Sequence, residues 1–274
     1  MRLAALLMFA ALPAVAQQLE IPRPSLGARV AQTVGLTEIA VDYSSPAARG
    51  RVIFGDVVPF GQVWRTGANA ATRITFSKEV QIGGKPVAAG TYALFTIPGK
   101  DAWTVIVNRD ANQFGAFSYK PGEDVVRVEA TPAPAPPRER LTFLFSDTTD
   151  DGTRLDLEWE RTRVSLPIRV ATGAQVLASI AALEKTGWRP WNQAAGFLLQ
   201  KKEYDAGLRL VDQSIKLSEQ WSNLWTRAQL LAGKGQVREA RAVAERALQL
   251  GAKEGDNFFA AAEIKKALAE WKVP

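Results

Sequence analysis

Arg49-Gly50-Arg51 places two arginines one residue apart. In extended backbone both guanidinium groups project to the same side, where they could clamp a carboxylate, phosphate or sulfate. Downstream, Trp64, Arg65 and Asn69 add a stacking surface, another planar fork of donors and an amide. Gly50, Gly55, Gly61 and Gly67 lie among them, and glycine lets a ligand approach the backbone closely. Arg49, Arg51, Trp64, Arg65 and Asn69 are therefore the candidate ligand-binding residues, suited to an anionic or sugar-like ligand. Each also has a plain structural reading. Either arginine could pair with Asp42 or Asp56, and Trp64 could fill a core, where large aromatics usually sit.

Other chemistries are closed to this chain. It has no histidine and no cysteine, which removes a Ser-His-Asp triad, a Cys-His pair, histidine-bound zinc and a proton shuttle at neutral pH. No G-x-S-x-G elbow, P-loop or dinucleotide fingerprint occurs. Asp147, Asp150, Asp151 and Asp156 form the densest acidic cluster, but the spacing is wrong for an EF-hand, and Asp150-Asp151-Gly152 between apolar runs reads first as a hairpin turn. A carboxylate pair for glycoside hydrolysis stays open, although no spacing singles one out. No catalytic residue, metal ligand or cofactor is assigned, and the reading favours a binder over an enzyme.

The elements that must position these groups follow from periodicity. Between Gly27 and Val170 the period is two, as half-buried strands require. Ile39, Val41 and Tyr43 alternate with polar or small residues. Ile74 and Phe76 continue, Gly83-Gly84 signals a hairpin after Val80 and Ile82, and Thr91–Ile97 and Trp103–Val107 are apolar runs. Leu141, Phe143 and Phe145 lead through the acidic turn to Leu155, Leu157 and Trp159, with Arg154, Asp156 and Glu158 facing the other way. Val164, Leu166 and Ile168 close the set. Many short strands without helical periods predict an antiparallel β-sandwich or a jelly-roll-like barrel. The Pro-rich stretch 131–137 reads as a stiff extended spacer outside the ladders. From Tyr43 to Ile74 the alternation fails for about thirty residues, longer than the roughly 12–15 of an ordinary connection.

Beyond Ala171 the period becomes helical, with Thr172 as the expected N-cap and Val176, Ile180 and Leu183 on one face. Trp191 and Trp225 lie 34 residues apart, and Tyr204/Val237, Gly207/Ala240, Val211/Ala244, Ser214/Ala247 and Leu217/Leu250 follow at 33. A tryptophan at the head and small residues at paired positions resemble the tetratricopeptide repeat, in which small side chains let helices approach closely. The helix before Trp188 and the one from Asp256 to Trp271 would serve as caps. An all-α, tetratricopeptide-like region with a face for a protein partner is expected.

At the start of the chain, Arg2, the apolar run Leu3–Leu12 and Ala14-Val15-Ala16 form an export signal, giving segments of 1–16 (signal), 17–170 (β domain) and 171–274 (helical repeats). No later run reaches the roughly 18 apolar residues of a membrane helix, so the expected location is periplasmic or secreted. Apolar residues at 47% and charged residues at 23% fit a globular protein. The positive excess is uneven, +1 over residues 17–170 and +4 over residues 171–274. That favours anionic partners, while the lack of long basic runs argues against nucleic acid.

Ser45-Pro46, Arg49-Gly50-Arg51, Trp64-Arg65-Thr66-Gly67-Ala68-Asn69 and Ala89-Gly90-Thr91-Tyr92 resemble a family of exported bacterial domains of unknown function, DUF2911, over about residues 18–170. The resemblance implies no activity and transfers no catalytic residue. The leading expectation is an exported envelope protein with a ligand-binding β domain and a protein-interaction tail. The alternatives are a carbohydrate-active enzyme and a purely structural scaffold. Mass spectrometry of the mature protein should find its N-terminus at or near Gln17; a predominant form retaining Met1 would refute export.

Overall fold

The computed structural model describes residues 21–181 and 187–272. The expected export signal and Leu183 lie outside the described residues. The strands are β1 (Leu26–Val34), β2 (Thr37–Ser45), β3 (Thr72–Phe76), β4 (Val80–Ile82), β5 (Lys85–Val87), β6 (Gly90–Ile97), β7 (Trp103–Asn108), β8 (Asp124–Ala130), β9 (Ala133–Thr149) and β10 (Gly152–Arg169). They form a six-stranded sheet, β1-β2-β3-β6-β7-β8, and a second sheet, β5-β4-β10-β9, with antiparallel pairing. The described residues thus form a two-sheet, sandwich-like region; the chain just after β2 bridges to β9 through Ala47 and Arg140, and no pairing among the described residues closes the sheets into a barrel.

Alternation explains which faces meet. Ile39 and Val41 of β2, Ile74 and Phe76 of β3, Leu94 of β6 and Val105 of β7 point inward against Leu141, Phe143, Leu155 and Leu157. Burying such side chains supplies roughly 1.5–3 kcal/mol each before entropy is counted. Gly83 and Gly84, at φ 58° and 75°, make the β4–β5 turn that the glycine pair predicts. That hairpin leaves the first sheet after β3, pairs with β10, and returns the chain to β6 beside β3.

β10 doubles back on itself near Glu160, whose φ is +51°. Ser165 donates to Asp156, Arg163 to Glu158, and the Val170 N–H to the Asp151 carbonyl, which places the two halves antiparallel. The turn changes the phase. Leu155, Leu157 and Trp159 face the core before it, and Val164, Leu166 and Ile168 face the core after it. The Pro-rich stretch corrects the expectation of a spacer outside the ladders. It is extended, but Ala133 and Pro134 already pair with Arg163 and Thr162 as the start of β9. Because β9 is an edge, missing proline donors cost it little.

The irregular segment between β2 and β3 is fixed by aromatic packing. Phe54 and Trp64 from this segment meet Trp103 of β7 and Trp159 of β10. Phe54 lies 4.8 Å from Trp103 and 6.1 Å from Trp159, and Trp64 stacks on Trp159 at 6.1 Å and 18°. The Trp64 backbone also exchanges two hydrogen bonds with Thr96, taking over as the neighbour of β6 where β3 has not yet begun.

Helices follow as α1 (Thr172–Ala181), α2 (Trp188–Gln200), α3 (Tyr204–Leu217), α4 (Trp221–Gly233), α5 (Val237–Gly251) and α6 (Ala261–Glu270). Small residues sit at the contacts between them. Ala195, Ala228, Ala240, Ala244 and Ala247 are fully buried, and a methyl on Gly207 would lie 2.5 Å from Leu230. Trp225 is buried and Trp191 half-buried. Thr172 begins α1 but does not act as the expected cap; its hydroxyl donates to the Asp150 carbonyl. Gln175 donates to Thr37, and Lys201 pairs with Asp151 at 2.7 Å and Asp150 at 3.2 Å. The acidic turn and the β1–β2 turn are thus where the helices meet the sandwich.

Gly35 sits at that meeting point with φ +55°; an added methyl would collide with Thr172 Oγ1 and lie 2.6 Å from the Asp150 carbonyl oxygen. Gly84 has φ +75° with open space around it. Gly84→Ala should therefore cost only the left-handed strain of about 1–2 kcal/mol. Gly35→Ala should cost clearly more in urea unfolding, and equal losses would show that the contact with α1 contributes nothing.

Candidate functional site

After β2, Ala47 bridges to Arg140, and residues 48–51 form a tight turn closed by Arg51 N–H to the Ala48 carbonyl at 3.2 Å. Arg49 has φ +53° and Gly50 +70°, so this stretch is not extended and the two arginines do not project in parallel. The Arg49 N–H donates to Glu139 Oε1 at 2.8 Å. Arg51 folds over its own turn, its Nε donating to the Ala48 carbonyl and its Nη2 to the Ala47 carbonyl, both at 2.9 Å. Neither Asp42 nor Asp56 takes up these arginines in an ion pair among the described residues; Asp42 holds Arg29 at 2.7 Å. Arg51 lines an open groove of about 580 Å³ with Arg138, Glu139, Glu160 and Arg161.

Trp64 is 8% exposed, and its indole N–H donates to the Gly67 carbonyl at 3.1 Å, so the ring belongs to the core. Thr66, at φ +55°, donates to Thr96, and its carbonyl accepts from Thr72. Arg65 lies half-buried between Trp64 and Thr66. Burial pulls its guanidinium below the ordinary arginine value, and its Nε has no partner among the described residues. Asn69, at φ +59°, donates to Ser44 Oγ at 3.2 Å and accepts the Gly115 N–H at 3.0 Å through its carbonyl. Of the five residues read from the sequence, Arg51 lines the first groove and Arg49 sits in the same turn. Asn69 braces the rim of another groove, Trp64 is a core ring, and Arg65 lines neither groove.

Two polar assemblies have only long-range signals. On the outer face of the second sheet, Asp156 and Glu158 have side chains 1% and 2% exposed. Asp156 accepts from Ser146 at 2.7 Å and Ser165 at 2.5 Å. Glu158 accepts from Arg138 and, at 2.6 Å, from Arg163. Burial alone would raise the Glu158 pKa, but the hydrogen bonds and charges of Arg138 and Arg163 hold it below the ordinary glutamate value. A carboxylate held ionised in this way is unsuited to act as a general acid near neutral pH. Strand alternation already placed Asp156 and Glu158 on one face; only the fold-back of β10 reveals what covers them.

The second assembly organises residues 109–123, between β7 and β8. Asn108 is fully buried and donates to Asp124 Oδ1 at 2.8 Å and to the Lys120 carbonyl at 3.2 Å. Asp124 Oδ2 accepts from Tyr119 and Arg127, each at 2.7 Å. Burial, together with the hydrogen bond to Asp124, pushes the Tyr119 hydroxyl up to about 12. The connection is thereby a fixed part of the fold.

Residues 25–168 match the profile of a family described as "Protein of unknown function (DUF2911)". No curated protein and no solved structure matches the chain.

The Glu158 network makes a pH prediction. A folded value below the unfolded one contributes stability that is complete above about pH 4.3 and lost as pH falls through the folded value. Glu158→Gln should therefore lower the urea midpoint at pH 7. Because Arg138 and Arg163 are partly exposed, the loss should fall short of the roughly 3–5 kcal/mol of a fully buried pair. At pH 3 the gap from the parent should narrow; an unchanged gap would assign the role of Glu158 to shape instead of charge.

Proposed function

Since the chain belongs to the DUF2911 family over residues 25–168, which brings no activity with it, we propose that it is an exported envelope protein whose β sandwich binds an anionic ligand. The carrying observation is the Arg51 groove. Arg51 and Arg161 line it beside Glu139 and Glu160, while Arg138, also in the lining, is committed to Glu158, so the guanidinium groups open to an anion are those of Arg51 and Arg161. Two of the Arg51 donors are spent on backbone carbonyls, which fixes the guanidinium plane and leaves Nη1 for a ligand. A preorganised fork loses less entropy on pairing with a carboxylate, phosphate or sulfate than a free side chain does.

The helical region serves a protein partner in this reading. Its consecutive packed pairs, α2 with α3 and α4 with α5, the small residues at their contacts and the spacing from Trp191 to Trp225 support a tetratricopeptide-like arrangement. Phe259, 84% exposed beside Trp221, offers an apolar contact. No helix among the described residues is long and apolar enough to cross a membrane, in keeping with a periplasmic or secreted protein.

Calorimetric titration of the full mature chain with inorganic phosphate, sulfate and citrate tests the anion site. Arg161→Ala should weaken binding by about tenfold or more while stability changes by only about 0–1 kcal/mol, as for other exposed charges. Arg51→Lys, which keeps the charge and loses the fork, should weaken it as well. Absence of binding by all three anions, or binding indifferent to both variants, would overturn the reading.

A further inference from the structure

The outer face of the six-stranded sheet is covered unevenly. Over β3, β6 and β7 it carries the buried side chains Ala71, Ala93, Phe95 and Ile106, packed with Ala116 and Tyr119 of the β7–β8 connection. That cover ends beside β3, and the step down to β1 and β2 is a groove of about 790 Å³. It shares no lining residue with the Arg51 groove.

The floor is a row of charges set by strand register. Arg29 of β1 lies opposite Asp42 of β2, which lies opposite Arg73 of β3. Adjacent strands are about 4.8 Å apart, so one carboxylate is flanked by two guanidinium groups. Arg29 takes Asp42 Oδ2 at 2.7 Å, whereas Arg73 makes no ion pair among the described residues. The wall is Phe114, 69% exposed despite its size. The backbone is braced on both sides of it: the Ala71 N–H donates to the Gln113 carbonyl at 2.9 Å and the Gly115 N–H to the Asn69 carbonyl at 3.0 Å. Gln113 itself is 5% exposed. Its Nε2 donates to Asn108 and to the Asp110 carbonyl, and its Oε1 has no partner among the described residues.

An exposed aromatic ring on a braced backbone, a carboxylate with one oxygen uncommitted and an unpaired guanidinium within one groove match the needs of a charged sugar. The ring covers the C–H face of a pyranose, the carboxylate accepts from its hydroxyls, and the guanidinium forks a carboxylate on it. A neutral sugar would leave Arg73 unused, and a simple anion would leave Phe114 unused. We propose that this groove binds an acidic saccharide: Phe114 stacks on the ring, Arg73 pairs with the sugar carboxylate, and Asp42 accepts from its hydroxyls.

The test is calorimetric titration of the full mature chain with trigalacturonate and sialyllactose, beside carboxyl-reduced trigalacturonate and lactose as neutral counterparts. Saturable binding of at least one acidic saccharide is expected, about tenfold or more tighter than its neutral counterpart. Phe114→Ala and Arg73→Ala, both at exposed positions, should each weaken it by about tenfold, and Arg161→Ala should leave it unchanged. The proposal is overturned if neither acidic saccharide binds at millimolar concentration, or if the neutral counterpart binds equally well. It is also overturned if Arg161→Ala abolishes binding while Arg73→Ala does not, which would move the sugar to the Arg51 groove.

Discussion

Four aromatic rings hold the sandwich and its irregular segment in one arrangement. Phe54 and Trp64 come from the long connection between β2 and β3, and Trp103 and Trp159 come one from each sheet. Edge-on and stacked pairs of this kind are worth roughly 0.5–1.5 kcal/mol beyond the area they bury. Their position matters more than their sum. Together with Ile53 and Val58 of the same connection, which are buried in the core beside them, Phe54 and Trp64 supply the apolar surface that repays its ordering. With them, the turn at residues 48–51 is pressed against Glu139 of β9, Arg51 is fixed over its groove, and Asn69 stands where it can brace Phe114. The core ring Trp64 thus helps to anchor the segment that carries Arg51 and Asn69, although it lines neither groove.

Charged groups are handled differently on the two outer faces. On the second sheet, Asp156 and Glu158 are withdrawn from water and satisfied by serines and arginines from the same hairpin. Such a network is costly to assemble and stable only when complete, since an unpaired buried charge is far more expensive than an exposed one. On the first sheet, the row Arg29, Asp42 and Arg73 is left accessible and incompletely paired. The burial of Asp156 and Glu158 is a structural use of charge, whereas the row on the first sheet is open to recognition.

Much of this fold was legible from the chain alone, because burial on one face imposes a period of two that Ile39, Val41, Leu155, Leu157 and Trp159 display openly. Gly83-Gly84 announced its turn, and the change of period at Thr172 marked the first helix. The Pro-rich start of β9 was hidden because proline argues against a ladder, and only the edge position makes it tolerable. The candidate site was legible in part. Its arginines and Asn69 stand out, but their groove partners, Arg138, Arg161 and Phe114, are distant in sequence and take their meaning from strand register. The partners of Arg51 are carbonyls of its own turn, which no side-chain pattern can reveal.

The excursion of β4 and β5 bears on how the sandwich carries mechanical load. β3 and β6 are neighbours in the first sheet, yet the chain joining them passes through the second, where β4 pairs with β10. The two layers are therefore stitched by continuous backbone. A force that drew the layers apart would have to strip β4 from β10 while also pulling on the ends of β3 and β6, so tension on either layer passes to the other through covalent bonds.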